Sequence, residues 1–143
     1  MMLIMRRTAG IRAENKRESL DRILDAAARR LREEGLEGAA IVPVMRDAGL
    51  THGGFYKHFG SRDDLVAEAV DRALADNEGF MTALLAEAAD PLAAFVDWYT
   101  SAEHRDTPGA GCGVVSFSAD APGYNRCSLL QAVHCKGKTV VAP

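Results

Sequence analysis

The stretch from Asp47 to Leu65 constrains the fold most, because it holds two short helical patterns with a turn between them. A short apolar segment ends at Ala48, and the next residue, Gly49, tolerates a positive φ without steric cost. Thr51 can accept a backbone N–H through its hydroxyl, so we expect it to cap a second helix. The sequence therefore predicts two short helices joined by a tight turn.

The second predicted helix has one apolar face and one polar face. Phe55 and Phe59 are four residues apart, which places both on the face that packs against the preceding helices. The remaining positions carry hydroxyls, imidazoles, a lysine and glycines, which suit a phosphate-lined groove. These positions are Thr51, His52, Gly53, Gly54, Tyr56, Lys57 and His58. This arrangement is typical of a helix-turn-helix whose recognition helix is 51–58.

The segment 35–70 resembles the DNA-binding domain of the TetR family of bacterial transcriptional repressors. The resemblance is carried by the run Thr51-His-Gly-Gly-Phe-Tyr-Lys-His-Phe59 and by Ser61-Arg-Asp-Asp-Leu65, which follows it. It implies an all-α fold in which an N-terminal three-helix bundle with the helix-turn-helix precedes a shortened helical regulatory domain. Members of this family generally run well beyond the length of this chain.

The resemblance also assigns roles to individual side chains. It implies that Tyr56 and His58 hydrogen-bond the sugar-phosphate backbone and that Arg62 reaches the same backbone. Lys57 adds a mobile positive charge to this surface, and bare backbone at Gly53 would let the helix approach DNA closely. Base edges are expected within reach of the leading turn, which holds Thr51, His52 and Gly54.

Charge is distributed unevenly along the chain. Residues 1–62 hold 12 Lys and Arg against 8 Asp and Glu, whereas residues 63–143 hold 5 against 12. A basic N-terminal part on an acidic remainder indicates a nucleic-acid-facing module on a solubilising body. We expect a DNA-binding domain at 13–62, a partial helical ligand-binding and dimerisation domain at 63–121, and an atypical, disordered tail at 122–143.

The N-terminal part has one strong helical pattern. Leu20, Ile23, Leu24, Ala27 and Leu31 form the apolar stripe of an amphipathic helix. The basic residues 6–16 before it have two interpretations, a disordered tail or an arm that contacts phosphates. The next helix is predicted at 41–48, and Ala40 before it offers no capping side chain.

The C-terminal part is predicted to contain longer helices. Ser61 can cap a helix that continues to about residue 88, with Gly79 as a point of interruption. Asp90 can cap the helix that follows it. A turn-rich connector at 104–112 then leads to a further predicted helix at 113–121. We interpret the residues after it as a truncated or frame-shifted C-terminus, because their helical periodicity is lost.

The cysteines give little support to a metal or redox site. Two roles stay open for Cys112, a small buried thiol and a reactive thiol sensor near a helix N-terminus. Cys127, His134 and Cys135 lack the paired spacing of metal ligands. We therefore predict no metal site and no cofactor. The odd count of 3 cysteines, without a visible secretion signal, favours a reducing cytosol.

The function predicted from these features is regulatory. No phosphate-binding loop and no nucleophile elbow is present, so we expect no enzyme. The opening run from Met1 to Met5 is too short for a membrane span, and translation from either methionine is compatible with the sequence. We predict a cytoplasmic protein without membrane contact.

The resemblance implies a ligand-responsive repressor that binds double-stranded DNA at a palindromic operator. Its partners would be a second copy of the chain, where the shortened C-terminal domain permits a homodimer, and a small-molecule effector. The alternative is a truncated regulator that acts only as a weak, non-specific DNA-binding or protein-interaction fragment.

Overall fold

The computed structural model describes the backbone of residues 2–118 of the 143-residue chain. Within that range every regular element is a helix, so the predicted all-α class is confirmed. The α-helices are α1 (Met2–Glu34), α2 (Ile41–Asp47), α3 (Arg62–Ala86), α4 (Pro91–Tyr99), α5 (Ala102–Asp106) and α6 (Gly113–Ser118). Between them lie 3-10 helices at Gly35–Ala39, His52–Lys57 and Pro108–Ala110.

The first helix is longer than predicted. Residues 6–16 belong to α1, which contradicts the first of the two interpretations, a disordered tail. Residues 11–34 contain no glycine or proline and are rich in good helix formers, which lets the helix extend without a break. Its 33 residues extend about 50 Å. The side chains at 10–18 are all exposed, and a phosphate contact from this segment stays a prediction.

The hydrophobic core forms where α1, α2, the 3-10 helix His52–Lys57 and the first half of α3 meet. Its largest fully buried side chains are Phe55, Ile23, Leu31, Met45, Leu65, Val44, Val66 and Val70. The apolar stripe predicted for the first helix faces this core. Because buried residues continue along α3 to Ala73, the core extends past the predicted domain boundary at 62, and that division stays a prediction.

The predicted caps of α3 and α4 are confirmed. The Ser61 hydroxyl accepts the backbone N–H of Asp64 at 3.1 Å, and the Asp90 carboxylate accepts that of Ala93 at 3.1 Å. Between these caps, α3 runs through Gly79 without interruption and ends at Ala86. A single glycine lowers helix stability by only about 1 kcal/mol, which a long helix tolerates.

The second half of the described chain is loosely packed. No residue of α4 is buried. Several large apolar side chains on α3 and α4 are exposed, and together they are here called the α3–α4 apolar face: Phe80, Leu92, Phe95, Val96 and Tyr99. The connector predicted at 104–112 is partly helical, because α5 begins at Ala102 with Ser101 as its cap. The predicted tail at 122–143 lies outside the described residues.

Candidate nucleic-acid interface

Ion pairs fix the C-terminal end of α2 to α1. Asp47 accepts hydrogen bonds from Arg29 at 2.9 Å and from Arg30 at 3.0 Å. The hydrogen bond from Arg30 holds the pKa of Asp47 below its usual value, and burial opposes this shift. The carboxylate therefore stays charged. Its ion pairs with Arg29 and Arg30 fix the position of α2 independently of the turn that follows α2.

The predicted tight turn lies at the end of α2. Gly49 has a φ of 69°, the left-handed region that glycine adopts without strain. Its N–H donates to the Arg46 carbonyl at 3.0 Å, and the Leu50 N–H donates to the Met45 carbonyl at 2.8 Å. These bonds satisfy the last carbonyls of α2 and reverse the chain toward the recognition segment.

The recognition segment, residues 51–59, is not the α-helix predicted from the sequence. It forms a 3-10 helix at His52–Lys57, with i→i+3 bonds such as Gly54 N–H to the Thr51 carbonyl at 2.9 Å. Thr51 is extended, and its hydroxyl makes no capping hydrogen bond, so the predicted cap is wrong. Two adjacent glycines weaken the α-helix, and the tighter 3-10 form is common in short pieces.

The exposure of the recognition segment follows the predicted division into two faces. Phe55 and Phe59 are buried, and their rings stack with centroids 5.4 Å apart. Four side chains and one bare glycine are exposed, namely Thr51, His52, Gly53, Tyr56 and Lys57. Gly54 and His58 are half-buried. Tyr56 is 65% exposed, although its ring packs edge-on against the buried ring of Phe55. This contact restrains the Tyr56 ring while the residue stays accessible.

The protein's own packing does not require glycine at the start of this segment. A Cβ atom at Gly53 would meet nothing within 4 Å. At Gly54 it would lie 3.6 Å from the Met45 methyl, which is ordinary contact. The bare backbone at both positions therefore leaves room for a molecule outside the protein.

His58, near the end of the recognition segment, is half-buried and is affected by a charge on α1. Burial lowers the pKa of His58, and the positive charges of Lys16 and Lys57 lower it further. Its Nδ1 atom is buried without a hydrogen-bond partner. The effect of Lys16 on this imidazole does not follow from the interpretations of residues 6–16 as a tail or an arm, since neither places Lys16 on a helix. The unbroken run of helix formers at 11–34 was the signal for it.

The lowered pKa of His58 predicts a pH-dependent stability. In the unfolded chain this histidine titrates near pH 6.5, so below about that pH the unfolded state binds more protons than the folded state. The parent should lose stability relative to His58→Gln as the pH falls through this range, and the difference should level off below the folded-state pKa. Urea unfolding of both proteins at several pH values measures it. A constant difference between them would contradict the prediction.

Arg62 is directed into the protein. This half-buried residue donates from Nη2 to the Leu36 carbonyl at 2.6 Å and from Nε to the Ala39 carbonyl at 3.2 Å. Its contact with the DNA backbone stays a prediction. What the structure brings together around the recognition segment is the set from Thr51 to His58, with Arg62 behind it.

Cys112 is half-buried and precedes α6. Its main-chain oxygen accepts the N–H of Ser116 at 3.4 Å and the Ser116 hydroxyl at 3.3 Å. These contacts do not involve the thiol, so its two roles, a small buried thiol and a reactive sensor, stay predictions. No group of three or more His, Cys, Asp or Glu residues in the described part of the chain could hold a metal ion. Cys127, His134 and Cys135 lie outside that part.

Aromatic side chains gather where α3, α4 and α5 meet. The Trp98 ring lies 4.9 Å from Phe80 and 4.4 Å from His104, and Tyr99 lies 4.7 Å from His104. A groove lies elsewhere, between α1 and the C-terminal end of α2, with a volume of about 300 Å³. Its lining residues are Arg22, Asp25, Ala26, Arg29, Asp47 and Ala48.

Comparison with known proteins agrees with the geometry of the helix-turn-helix. Residues 23–69 match the family described as bacterial regulatory proteins, tetR family. The chain is also similar to an uncharacterized HTH-type transcriptional regulator of Haemophilus influenzae, with 36% identity over 66 residues. That alignment covers 46% of this chain and 32% of the relative, so the chain spans about a third of the relative's length. In the described residues, no helix is long and apolar enough to cross a membrane.

Proposed function

We propose that the chain, whose residues 23–69 match the TetR family of bacterial regulatory proteins, is a DNA-binding transcriptional regulator. The observation that carries the proposal is the two-faced recognition segment. Phe55 and Phe59 anchor it in the core, while the tyrosine, lysine and histidine side chains and bare glycine backbone stand on the other side. This surface meets the needs of a groove lined with phosphates.

The contacts divide by chemistry into two classes. Tyr56, Lys57 and His58 hold the sugar-phosphate backbone, whereas Thr51, His52 and Gly54 lie at the leading turn, where base edges are read. Gly53 permits close approach of the main chain. Neutral His58 can donate one hydrogen bond to a phosphate without bringing a third positive charge beside Lys16 and Lys57.

Two copies related by a two-fold axis would read a palindromic operator in successive major grooves, about 34 Å apart. Bound upstream of a gene, such a dimer acts as a repressor. An effector held near the aromatic side chains of α4 would shift α3, whose first residues pack in the same core as the recognition segment. The shift changes the half-site spacing and releases DNA.

The second candidate is a fragment that binds DNA weakly and without sequence preference, or that associates with another protein. The observation that favours it is the exposed α3–α4 apolar face, whose Leu92 is 72% exposed. Contiguous exposed apolar surface is typical of interaction sites. A chain that cannot pair two recognition segments would have a small interface and low affinity for DNA.

Titration of the purified chain against two fluorescent DNA duplexes separates these functions. One duplex comes from just upstream of its own gene, and the other has the same composition in shuffled order. Both titrations use one fixed salt concentration, because affinity for DNA depends steeply on salt. Preference for the upstream duplex supports the sequence-specific regulator. Equal weak binding supports the fragment, and absence of binding to both rejects DNA binding.

Tyr56→Phe and Lys57→Ala should each weaken binding to specific and shuffled DNA by similar factors, about tenfold for a lost hydrogen bond to a charged phosphate. For Lys57→Ala, the slope of log affinity against log salt should also fall by about 0.9, since one counterion fewer is released. Arg105→Ala, which removes an exposed charge from α5, is the matched control and should bind as the parent does. Parent-like binding by the Tyr56 and Lys57 variants would refute this docking.

Changes at the leading turn should act differently. His52→Ala or Gly54→Ala is expected to change which operator bases are preferred, because these positions approach base edges. Selection from a randomised duplex library, performed on the parent and both variants, measures the preference. An identical selected sequence for all three proteins would remove these residues from base readout.

A further inference from the structure

Arginine side chains hold the 3-10 helix that joins α1 to α2. The guanidinium of Arg62 donates to the carbonyls of Leu36, at 2.6 Å, and Ala39, at 3.2 Å. Arg30 donates from Nε to the intervening Gly38 carbonyl at 2.9 Å. Three carbonyls within four residues are thus bonded by two side chains. We call Arg30, Arg62 and these bonds the arginine clamp.

The clamp lies where α2 lacks its usual support. Ala40 occupies the N-cap position, with φ −71° and ψ 135°, and no side chain caps the helix. A Ser, Thr, Asp or Asn at this position would normally bond an N–H of the first turn and fix the helix start. The clamp does not replace that bond. It fixes the direction from which the chain enters α2, by holding the carbonyls just before it.

Arg62 also connects two ends of the helix-turn-helix. It is the first residue of α3 and is separated from the end of the recognition segment by Gly60 and Ser61. Its hydrogen bonds reach back 26 and 23 residues along the chain. The segment from Ala40 to Ser61, which contains α2 and the recognition segment, is therefore tied together at its two ends. Loss of this tie would let the two helices change their relative orientation.

We propose that Arg62 is a positioning residue, which sets the orientation of α2 and the recognition segment for DNA by clamping the Leu36 and Ala39 carbonyls. The inference rests on the proposed DNA-binding function. It assigns Arg62 an indirect role in place of a phosphate contact, because two of its donor nitrogens are already bonded inside the protein.

Lysine at this position distinguishes the two roles. Lysine binds phosphate well as a point charge, but it cannot reproduce the planar fork of a guanidinium that bonds two carbonyls. Arg62→Lys should therefore lose about tenfold in DNA affinity, the effect of losing one strong hydrogen bond, with the salt slope unchanged. Arg62→Gln should lose a similar factor, again with the parent's slope.

Arg72→Lys is the matched control, since it makes the same change on the same helix. Arg72 bonds the carboxylates of Asp21 and Asp25 at the surface, at 2.6 and 2.7 Å, and lysine can pair with either. This variant should bind DNA as the parent does. Circular dichroism confirms that each variant is folded before it is titrated.

Amide hydrogen exchange gives a readout that needs no DNA. The Val44 N–H donates to the Ala40 carbonyl at 3.1 Å in the first turn of α2. Its exchange should accelerate about tenfold in Arg62→Lys and stay unchanged in Arg72→Lys, because only the first variant loosens the entry to α2. Amides in the middle of α3, such as that of Ala69, should exchange at the parent's rate in both variants.

Two results would overturn the inference. One is parent-like exchange of the Val44 amide in Arg62→Lys. The other is parent-like DNA affinity of Arg62→Lys together with a salt slope lowered by about 0.9 in Arg62→Gln, which identifies a phosphate contact. If the parent binds no DNA while exchange in Arg62→Lys is accelerated, the clamp stands as a device that orients α2, and the proposed function fails separately.

Discussion

Replacing Gly38 with alanine should destabilise the protein by about 3 kcal/mol, near the upper end for overpacking a tight site. The added Cβ would meet the main-chain oxygen of Arg30 well inside van der Waals distance. It would also lie 2.9 Å from the Arg30 carbonyl carbon and 2.9 Å from Cβ of Glu34. Two of these neighbours are backbone atoms of α1, so relief requires the 3-10 helix to move and the arginine clamp to stretch.

Gly79→Ala is the matched control for this prediction. A Cβ atom at Gly79 meets nothing within 4 Å, and the residue lies inside α3. Alanine there should raise the free energy of unfolding by about 0.5–1 kcal/mol, because glycine is the poorer helix former. Urea unfolding followed by circular dichroism compares the three proteins. Equal midpoints for the parent and Gly38→Ala would show that the 3-10 helix is not packed as tightly as described.

Phe55→Ala should reduce the free energy of unfolding by about 4 kcal/mol. The side chain is the largest of the fully buried ones, and its ring is stacked on Phe59 with centroids 5.4 Å apart. Removing it leaves a cavity beneath the recognition segment. Since small domains are stable by only about 5–15 kcal/mol, this loss takes much of the total, and DNA binding should fall with it.

Phe80→Ala makes the same change on the α3–α4 apolar face. Phe80 is 46% exposed and touches Trp98, with ring centroids 4.9 Å apart. We expect a loss of about 1 kcal/mol, because little surface is buried and no closed cavity results. Thermal and urea unfolding measure both variants. A Phe80→Ala loss as large as that of Phe55→Ala would mean that this face is packed as a second core.

The sequence was sufficient for features that depend on local spacing. The burial of Phe55 and Phe59 follows from their separation by four residues, which a helix-like segment places on one side. The caps at Ser61 and Asp90 follow from side chains that bond an N–H three residues on. These relations involve neighbours in the chain, so a single sequence contains them in full.

Features that depend on distant contacts could not be predicted. Nothing in the neighbourhood of Arg62 indicates that its guanidinium bonds carbonyls more than twenty residues earlier. Every residue has a carbonyl, so such a bond leaves no pattern in residue types. The form of the recognition segment escaped prediction for another reason. The choice between α- and 3-10 helix over six residues with two glycines depends on a small energy difference, which residue types alone do not reveal.

The packing of the C-terminal part of the described chain also could not be predicted from helical periodicity. Leu92, Phe95, Val96 and Tyr99 recur at helical spacing in α4, and all four are exposed. Periodicity does not say what covers a face, and α4 has no buried residue in the described structure. The predicted effector site and dimer therefore depend on contacts that spacing along one chain does not encode.

The arginine clamp determines which amino-acid substitutions the segment between α1 and α2 can accept. A hydrogen bond to a main-chain carbonyl is indifferent to the side chain beside it, so substitutions at Leu36 and Ala39 are limited by their burial and not by the bonds that they accept. The chemical requirement falls on the donors at positions 30 and 62, and the steric requirement falls on Gly38. Variation in this segment is therefore restricted by hydrogen bonding at the two residues that donate the bonds and by packing at the residues that receive them.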